Sequence, residues 1–449
     1  MGYCKIGEEL IVDILDFGMG GEGIAKIDNY PIFIQGAIKG ERVKIKLSYV
    51  KKDYAFGDII EIIISSDFRV KPRCPYYGKC GGCDMQHIAY LEQLEIKRLN
   101  IQRTLKKNAG IDIDVPTPIS VNEWEYRNKL ALPFGKRGDR VVLGFYEKQT
   151  HKVVSMKFCP LHKSWASDVI RIFSEWANEN NISVYDEITK KGFLRHLVVR
   201  FIDTPDIILV GAGDKIPFLD ALIAKIKEVF PTFSLYFSPN KKVGNVILGD
   251  TEQLVYGDES IHHIGGIDVK INPFSFLQVN LDVMSILYNN VAEKLSDFDG
   301  DIVELYSGIG VLTANLAKRM LKSKFSAVEI VPEAVQDARA LMESLDISKR
   351  VRCICEDAGK FMDDLIDDSK KKALLIDPPR KGIDEKVVLK AKEVEFDKII
   401  YISCNPATLS RDIKMLSDSY EIEYIQPFDM FPQTTHIETV VLLTLKTPK

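Results

Sequence analysis

Between Glu9 and Ile64 the chain runs in short stretches of alternating apolar and polar residues, ELIVDILDF, IAKI, PIFI, ERVKIKLSYV and AFGDIIEIII, separated by glycine turns such as GMGGEG. A period of two punctuated by glycine predicts strands with one buried face. Residues 1–66 are therefore expected to form a small β-barrel of the oligonucleotide-binding type, whose strand faces can hold single-stranded RNA. The period lengthens at HIAYLEQLEIKRLNIQRTLKKNAG (87–110), where apolar residues at helical spacing and the closing Gly110 predict a helix placed to pack on the C-terminal part. Residues 67–270 mix strands (VVLGFYE, HLVVRFI, DIILVGAG) with a helix around SDVIRIFSEWANE, an α+β pattern. From 271 to 449 strands and helices alternate, through DIVELYSG, FSAVEI, VRCIC, ALLIDPP and KIIYISC to IETVVLLTL. That alternation predicts a mainly parallel, doubly wound sheet with helices on both faces.

Composition narrows the function classes. With 46% hydrophobic and 28% charged residues and no apolar run of the ~18 residues a membrane span needs, the chain reads as a globular protein. The start MGYCKIGEEL has no basic-then-apolar leader, and Ile6 breaks a Gly2 lipidation pattern, so a cytoplasmic, monomeric protein is expected. The net charge of −4 hides an asymmetry, because Lys39 to Lys107 carries fifteen Lys and Arg against eight Asp and Glu, an excess of seven. Such a basic stretch can steer RNA towards a site elsewhere in the chain. Eight cysteines without a secretion signal argue for metal binding or catalysis rather than disulfides. Cys74, Cys80 and Cys83 lie close together, and Cys159 in KFCPLH offers a fourth thiolate, a set that suits tetrahedral zinc or an iron–sulfur cluster alike.

The candidate chemistry gathers at strand ends. IVELY runs into Ser307-Gly308-Ile309-Gly310, and Glu329 ends the next strand twenty-one residues after Gly308, where it can reach ribose hydroxyls. Thr313 stands where a dinucleotide site carries its third glycine, which weakens a pyrophosphate reading, and together with the motifs that follow S-adenosylmethionine is favoured over NAD. ALLI delivers Asp377 ahead of Pro378-Pro379, whose fixed backbone holds the acid rigidly for a nucleobase edge or the cofactor. Cys404 ends KIIYIS just before Asn405-Pro406, a helix start whose dipole is expected to lower the thiol pKa and populate the thiolate. A thiol is what methylation of C5 in a pyrimidine requires, since that carbon attacks only after a nucleophile has added at C6. The C5 proton must then leave, and Glu438 is the preferred base over His436 in FPQTTHIETV.

INPFSFLQVN, ELYSGIG, LLIDPPRKG, YISCNPATLSRD and DMFPQTTHIETV, in this order, resemble the motifs of the RNA uracil-C5 methyltransferases, which form 5-methyluridine in 23S ribosomal RNA and tRNA. The resemblance implies Cys404 as nucleophile and Glu438 as base, with Gln278, Tyr306, Gly308, Glu329, Asp357 and Asp377 lining the cofactor and uracil pocket. It also implies a TRAM-type RNA-binding domain at the start. Because the ribosomal-RNA branch carries a [4Fe–4S] cluster on a matching cysteine pattern, it favours iron–sulfur over zinc and 23S ribosomal RNA over tRNA. Two other readings remain open. An exocyclic-amine methyltransferase would use DPPR but leave Cys404 idle, and a non-enzymatic RNA-binding iron–sulfur protein would bind no S-adenosylmethionine.

Overall fold

The computed structural model describes residues 5–244, 246–272, 275–365 and 371–446. Cys4 and the Pro273-Phe274 pair of the INPFSF motif lie outside them.

The N-terminal alternation becomes six strands: β1 (Glu9–Asp13), β2 (Asp16–Phe17), β3 (Gly23–Ile27), β4 (Tyr30–Ile34), β5 (Arg42–Val50) and β6 (Ala55–Ile64). Ile32, Ile34, Val43, Ile45 and Ala55 face one core, while the residues between them reach solvent or its margin. The sheet order is β1-β5-β6-β4-β3-β2. Its two edge strands are separated by only Ile14-Leu15, so the sheet must curl. No pairing among the described residues joins β1 to β2 directly, but at the joint between them the Ile14 amide donates to the Glu41 carbonyl and the Leu15 amide to the Ile24 carbonyl, both at 2.8 Å.

The predicted helix is α1 (Tyr90–Thr104), which widens into a π turn at Leu105–Ala109 and stops at left-handed Gly110 (φ 74°). A central sheet follows, built from β7 (Lys129–Arg137), β8 (Arg140–Leu143), β9 (Leu194–Phe201), β10 (Pro205–Gly211), β11 (Ser234–Pro239) and β12 (Gln253–Tyr256) in the order β12-β11-β10-β9-β7-β8. Helices α2 (Trp165–Glu179) and α3 (Leu219–Lys227) bury Phe173, Trp176 and Leu222 against it. A hairpin, β13 (Ile261–Ile264) and β14 (Ile267–Lys270), turns through Gly265-Gly266 and leads to α4 (Leu281–Lys294).

The C-terminal sheet alternates as the sequence predicts: β15 (Asp301–Leu305), α5 (Val311–Arg319), β16 (Phe325–Glu329), α6 (Pro332–Ser344), β17 (Val351–Cys355), α7 (Ala358–Asp363), β18 (Lys372–Ile376), α8 (Glu385–Val394), β19 (Lys398–Ser403), α9 (Pro406–Leu416), β20 (Tyr420–Phe428) and β21 (Glu438–Leu445). Its order is β17-β16-β15-β18-β19-β21-β20, with the first five strands parallel and β21 antiparallel to both its neighbours, β19 and β20. The order reverses between β15 and β18, which opens a crevice at their carboxyl ends, where ligands bind in such sheets. Among the described residues no helix is long and apolar enough to cross a membrane.

Candidate active site

Strand register brings the predicted residues to one edge. Leu305 pairs with both Val328 and Ile376, so the next residues, Tyr306, Glu329 and Asp377, end three adjacent strands at the same height. The two glycines of the turn serve different needs. Gly308 (φ 54°) faces open space, leaving its backbone bare to a ligand, whereas at Gly310 (φ 75°) a Cβ would meet Met342 Cε at 2.8 Å. Tyr306 itself holds a left-handed φ of 63°, a strained conformation for a side-chain-bearing residue. The Glu329 carboxylate accepts from the Gly308 amide at 3.0 Å and from the Ile330 and Val331 amides at 2.8 and 2.9 Å, which fixes it beneath the turn. Asp357 caps α7 through the Lys360 amide (3.1 Å). Gln278 is buried just ahead of α4, its backbone carbonyl accepting from the Asn128 side chain.

Sequence reasoning treated Thr313 only as a missing glycine. Its hydroxyl donates to the buried Glu304 carboxyl of β15, whose pKa burial pushes up to about 8. This pair forms the floor of the turn.

Cys404 and Glu438 come together through the last two strands of the pairing. β19 and β21 are antiparallel with Ser403 opposite Thr439, and one further step puts Cys404 opposite Glu438. The Glu438 side chain is buried, and its Oε2 has no hydrogen-bond partner among the described residues. Burial and the nearby Asp377 raise its pKa well above the usual carboxylate range, with Arg380 opposing, and burial lifts Asp377 to about 7. Asn405 is the helix cap that the sequence predicts. Its Oδ1 accepts from the Ala407 amide (3.1 Å) and its Nδ2 donates to the Arg380 carbonyl (3.0 Å), tying the DPPR loop to the Cys404 turn. The expected lowering of the Cys404 pKa does not occur. Burial first, then the Glu438 carboxylate, push the thiol up to about 11, against the opposing Arg380 charge. Arg380, missed in the sequence, also donates to His436 Nε2 at 3.2 Å. The only signal for it was its place after Pro378-Pro379.

Cys74, Cys80, Cys83 and Cys159 line one cavity of about 40 Å³ together with Gln86, Arg127 and His162. Among the described residues no three His, Cys, Asp or Glu side chains meet closely enough to hold a single metal ion. Directly after Cys83, the Asp84 and Met85 amides both donate to the Gln433 carbonyl at 3.1 Å, and Tyr126 Oη donates to the Pro432 carbonyl at 2.9 Å. The cysteine loop thus grips the segment that leads into Glu438.

A doubly wound sheet offering a bare glycine turn and a fixed acid at its switch point has the architecture of the S-adenosylmethionine-dependent methyltransferases. Comparison with known proteins gives the substrate class. The tRNA (uracil-5-)-methyltransferase family matches residues 265–446 and the TRAM domain residues 5–60. An uncharacterized RNA methyltransferase of Clostridium tetani is 37% identical over 96% of this chain and 95% of its own. One of Halalkalibacterium halodurans is 38% identical over 97% and 96%. The crystal structure of Pyrococcus abyssi tRNA (uracil-54, C5)-methyltransferase in complex with S-adenosyl-L-homocysteine superposes with a TM-score of 0.78 at 26% identity, covering 97% of this chain and 99% of that one. The chain belongs to the RNA uracil-C5 methyltransferase family and is an S-adenosylmethionine-dependent enzyme.

Proposed function

We propose that the enzyme methylates C5 of a specific uridine in 23S ribosomal RNA, with Cys404 as nucleophile and Glu438 as the base that takes the C5 proton. The observation that carries this reading is the place of Cys404 and Glu438, each one step beyond the Ser403–Thr439 pair at the end of the β19–β21 register, with Glu438 Oε2 buried and unpartnered among the described residues. Cys404 loses its proton to solvent and adds to C6, leaving an enolate whose C5 is nucleophilic. When bound, S-adenosylmethionine supplies the electrophilic methyl group and a positive sulfonium. Glu438 then accepts the C5 proton, and Cys404 leaves C6 as the C5=C6 double bond is restored. Asp377 is aimed to hold the uracil edge or the cofactor, while Gln278, Tyr306, Gly308, Glu329 and Asp357 hold the cofactor. The bare Gly308 backbone and the anchored Glu329 fit a ribose and adenine passing over the turn.

Cys74, Cys80, Cys83 and Cys159 hold a [4Fe–4S] cluster in this reading. Four thiolates around one cavity suit zinc or an iron–sulfur cluster alike, and the likeness to the ribosomal-RNA uracil methyltransferases favours the cluster. The cluster favours the ribosomal substrate. The name of the Pyrococcus relative favours tRNA as the second reading. RNA containing 5-fluorouracil, whose C5 has no proton to lose, should trap the wild-type enzyme covalently and leave Cys404→Ala untrapped. An adduct that survives this substitution would overturn the role of Cys404. Mapping which 5-methyluridine disappears when the gene is deleted decides between ribosomal RNA and tRNA.

A further inference from the structure

Four aromatic side chains gather on the outer face of the N-terminal sheet. Phe56 is the hub, its ring centroid 5.5 Å from Phe33, 5.7 Å from Tyr54 and 6.2 Å from Tyr49, and Phe33 meets Tyr54 edge-on at 6.1 Å. Register explains the grouping. Phe56 of β6 pairs with Phe33 of β4 on one side and Tyr49 of β5 on the other, so three rings sit abreast on three neighbouring strands. Strict alternation would turn Tyr49 inward with the buried Leu47 two residues earlier, but the pairing skips Ser48, and this bulge turns Tyr49 outward.

The core does not need these rings, because Ile32, Ile34, Ala55 and Leu47 already fill the inner face. Tyr49 is 43% and Phe56 41% exposed, a contiguous apolar patch rather than a scattered side chain. Lys51 brings a cation to it, with Nζ 5.7 Å from the Tyr49 centroid and 5.9 Å from that of Tyr54. Tyr30 Oη donates to the Lys51 carbonyl at 2.6 Å and steadies that turn. The turn lies at the Tyr30 end of β4, whereas the Ile34 end leads to Ile38, which packs with Met85, Ile88 and Ile96. About four residues of strand, roughly 13 Å, therefore separate Lys51 from that junction, and the cluster lies apart from the pocket around Cys404.

We propose that Phe33, Tyr49, Tyr54 and Phe56, with Lys51, form a stacking platform for unpaired nucleotides of the substrate RNA outside the target uridine. The proposal rests on RNA being the substrate and adds where its flanking strand is held. Exposed rings accept base faces of any sequence, and the Lys51 ammonium beside them meets the phosphates. A duplex, with its base faces already stacked, has nothing to offer the rings.

The test uses the full chain and two fluorescein-labelled probes, a single-stranded RNA of about 12 nucleotides and the same sequence as a blunt duplex. In anisotropy titrations, Tyr49→Ala combined with Phe56→Ala should weaken binding of the single strand by about tenfold and leave the duplex unchanged. Phe56→Trp, which keeps a ring, should bind the single strand like the wild type. Unchanged single-strand affinity in the double variant would overturn the proposal and assign the patch to a protein partner. Equal losses for both probes, or a Phe56→Trp variant as weak as the alanine one, would overturn it too. Failure of the methylation reading would appear separately, as a wild-type enzyme that binds these probes but transfers no methyl group to uridine.

Discussion

Cys404 is a weak nucleophile in the free enzyme, because burial and two neighbouring acids hold its proton in place. Its reactivity has to come from what enters the pocket, and a cationic sulfonium is the charge that a site built on Asp377 and Glu438 lacks. Without S-adenosylmethionine, the rate at which iodoacetamide alkylates Cys404, read by mass spectrometry, should climb steadily from about pH 7 to pH 9, since the thiolate fraction is still rising there. A flat profile over that range would contradict the raised thiol. Glu438→Gln should still transfer the methyl group but accumulate the covalent intermediate on ordinary RNA, visible as a gel-shifted band. Asp377 gives a stability test. Its folded pKa is raised to about 7, so the folded protein keeps a proton that the unfolded chain releases from about pH 4 upward, and stability falls across that window. Asp377→Asn should thus raise the melting temperature more at about pH 8 than at about pH 4 while abolishing methylation. Cys404, Glu438 and the Asn405 cap were legible because each sits at a strand end beside a distinctive neighbour. The direction of the thiol shift was not, because the acids that decide it arrive from other strands.

At the level of elements, α1 is pinned to the segment after β20 by a fully buried ion pair, Lys97 Nζ to Asp429 Oδ1 at 2.6 Å. Tyr90 Oη adds a hydrogen bond to Asp429 Oδ2 at 2.8 Å, and Lys97 also reaches the Phe431 carbonyl at 3.2 Å. A buried charge stripped of its partner is costly, so Asp429→Ala should destabilise the enzyme by about 3–5 kcal/mol in urea unfolding. Lys97→Met combined with Asp429→Asn, which leaves no orphaned charge, should recover much of that loss. Hydrophobic periodicity identified α1 and the alternating C-terminal elements, since each buries a regular face. It could not reveal the strand order of the N-terminal sheet, because alternation reports which face is buried and not which strands pair. Lys97, too, read as one more basic residue of a charged helix until Asp429 was found against it.

Across the whole molecule, the cysteine cavity and the segment before Glu438 are one mechanical unit, joined by the Asp84 and Met85 amides on Gln433. Loss of one of these cysteines should therefore disturb Glu438 more than the cofactor turn. Cys80→Ser is expected to lower kcat several-fold and leave S-adenosylmethionine affinity, measured by calorimetry, nearly unchanged. An equal loss in both would mean that the cavity supports the entire fold. The basic excess and the cysteine set were visible in the sequence, but their distance from the chemistry was not, because it depends on how distant segments fold together. Strand order carries a last consequence. β21 follows β20 in sequence yet lies between it and β19, so a chain cut before Glu438 loses its base and an interior strand together. Such a fragment would expose two bare sheet edges and stick to its neighbours, so partial products of translation should be cleared as aggregates rather than persist as inactive competitors for the RNA.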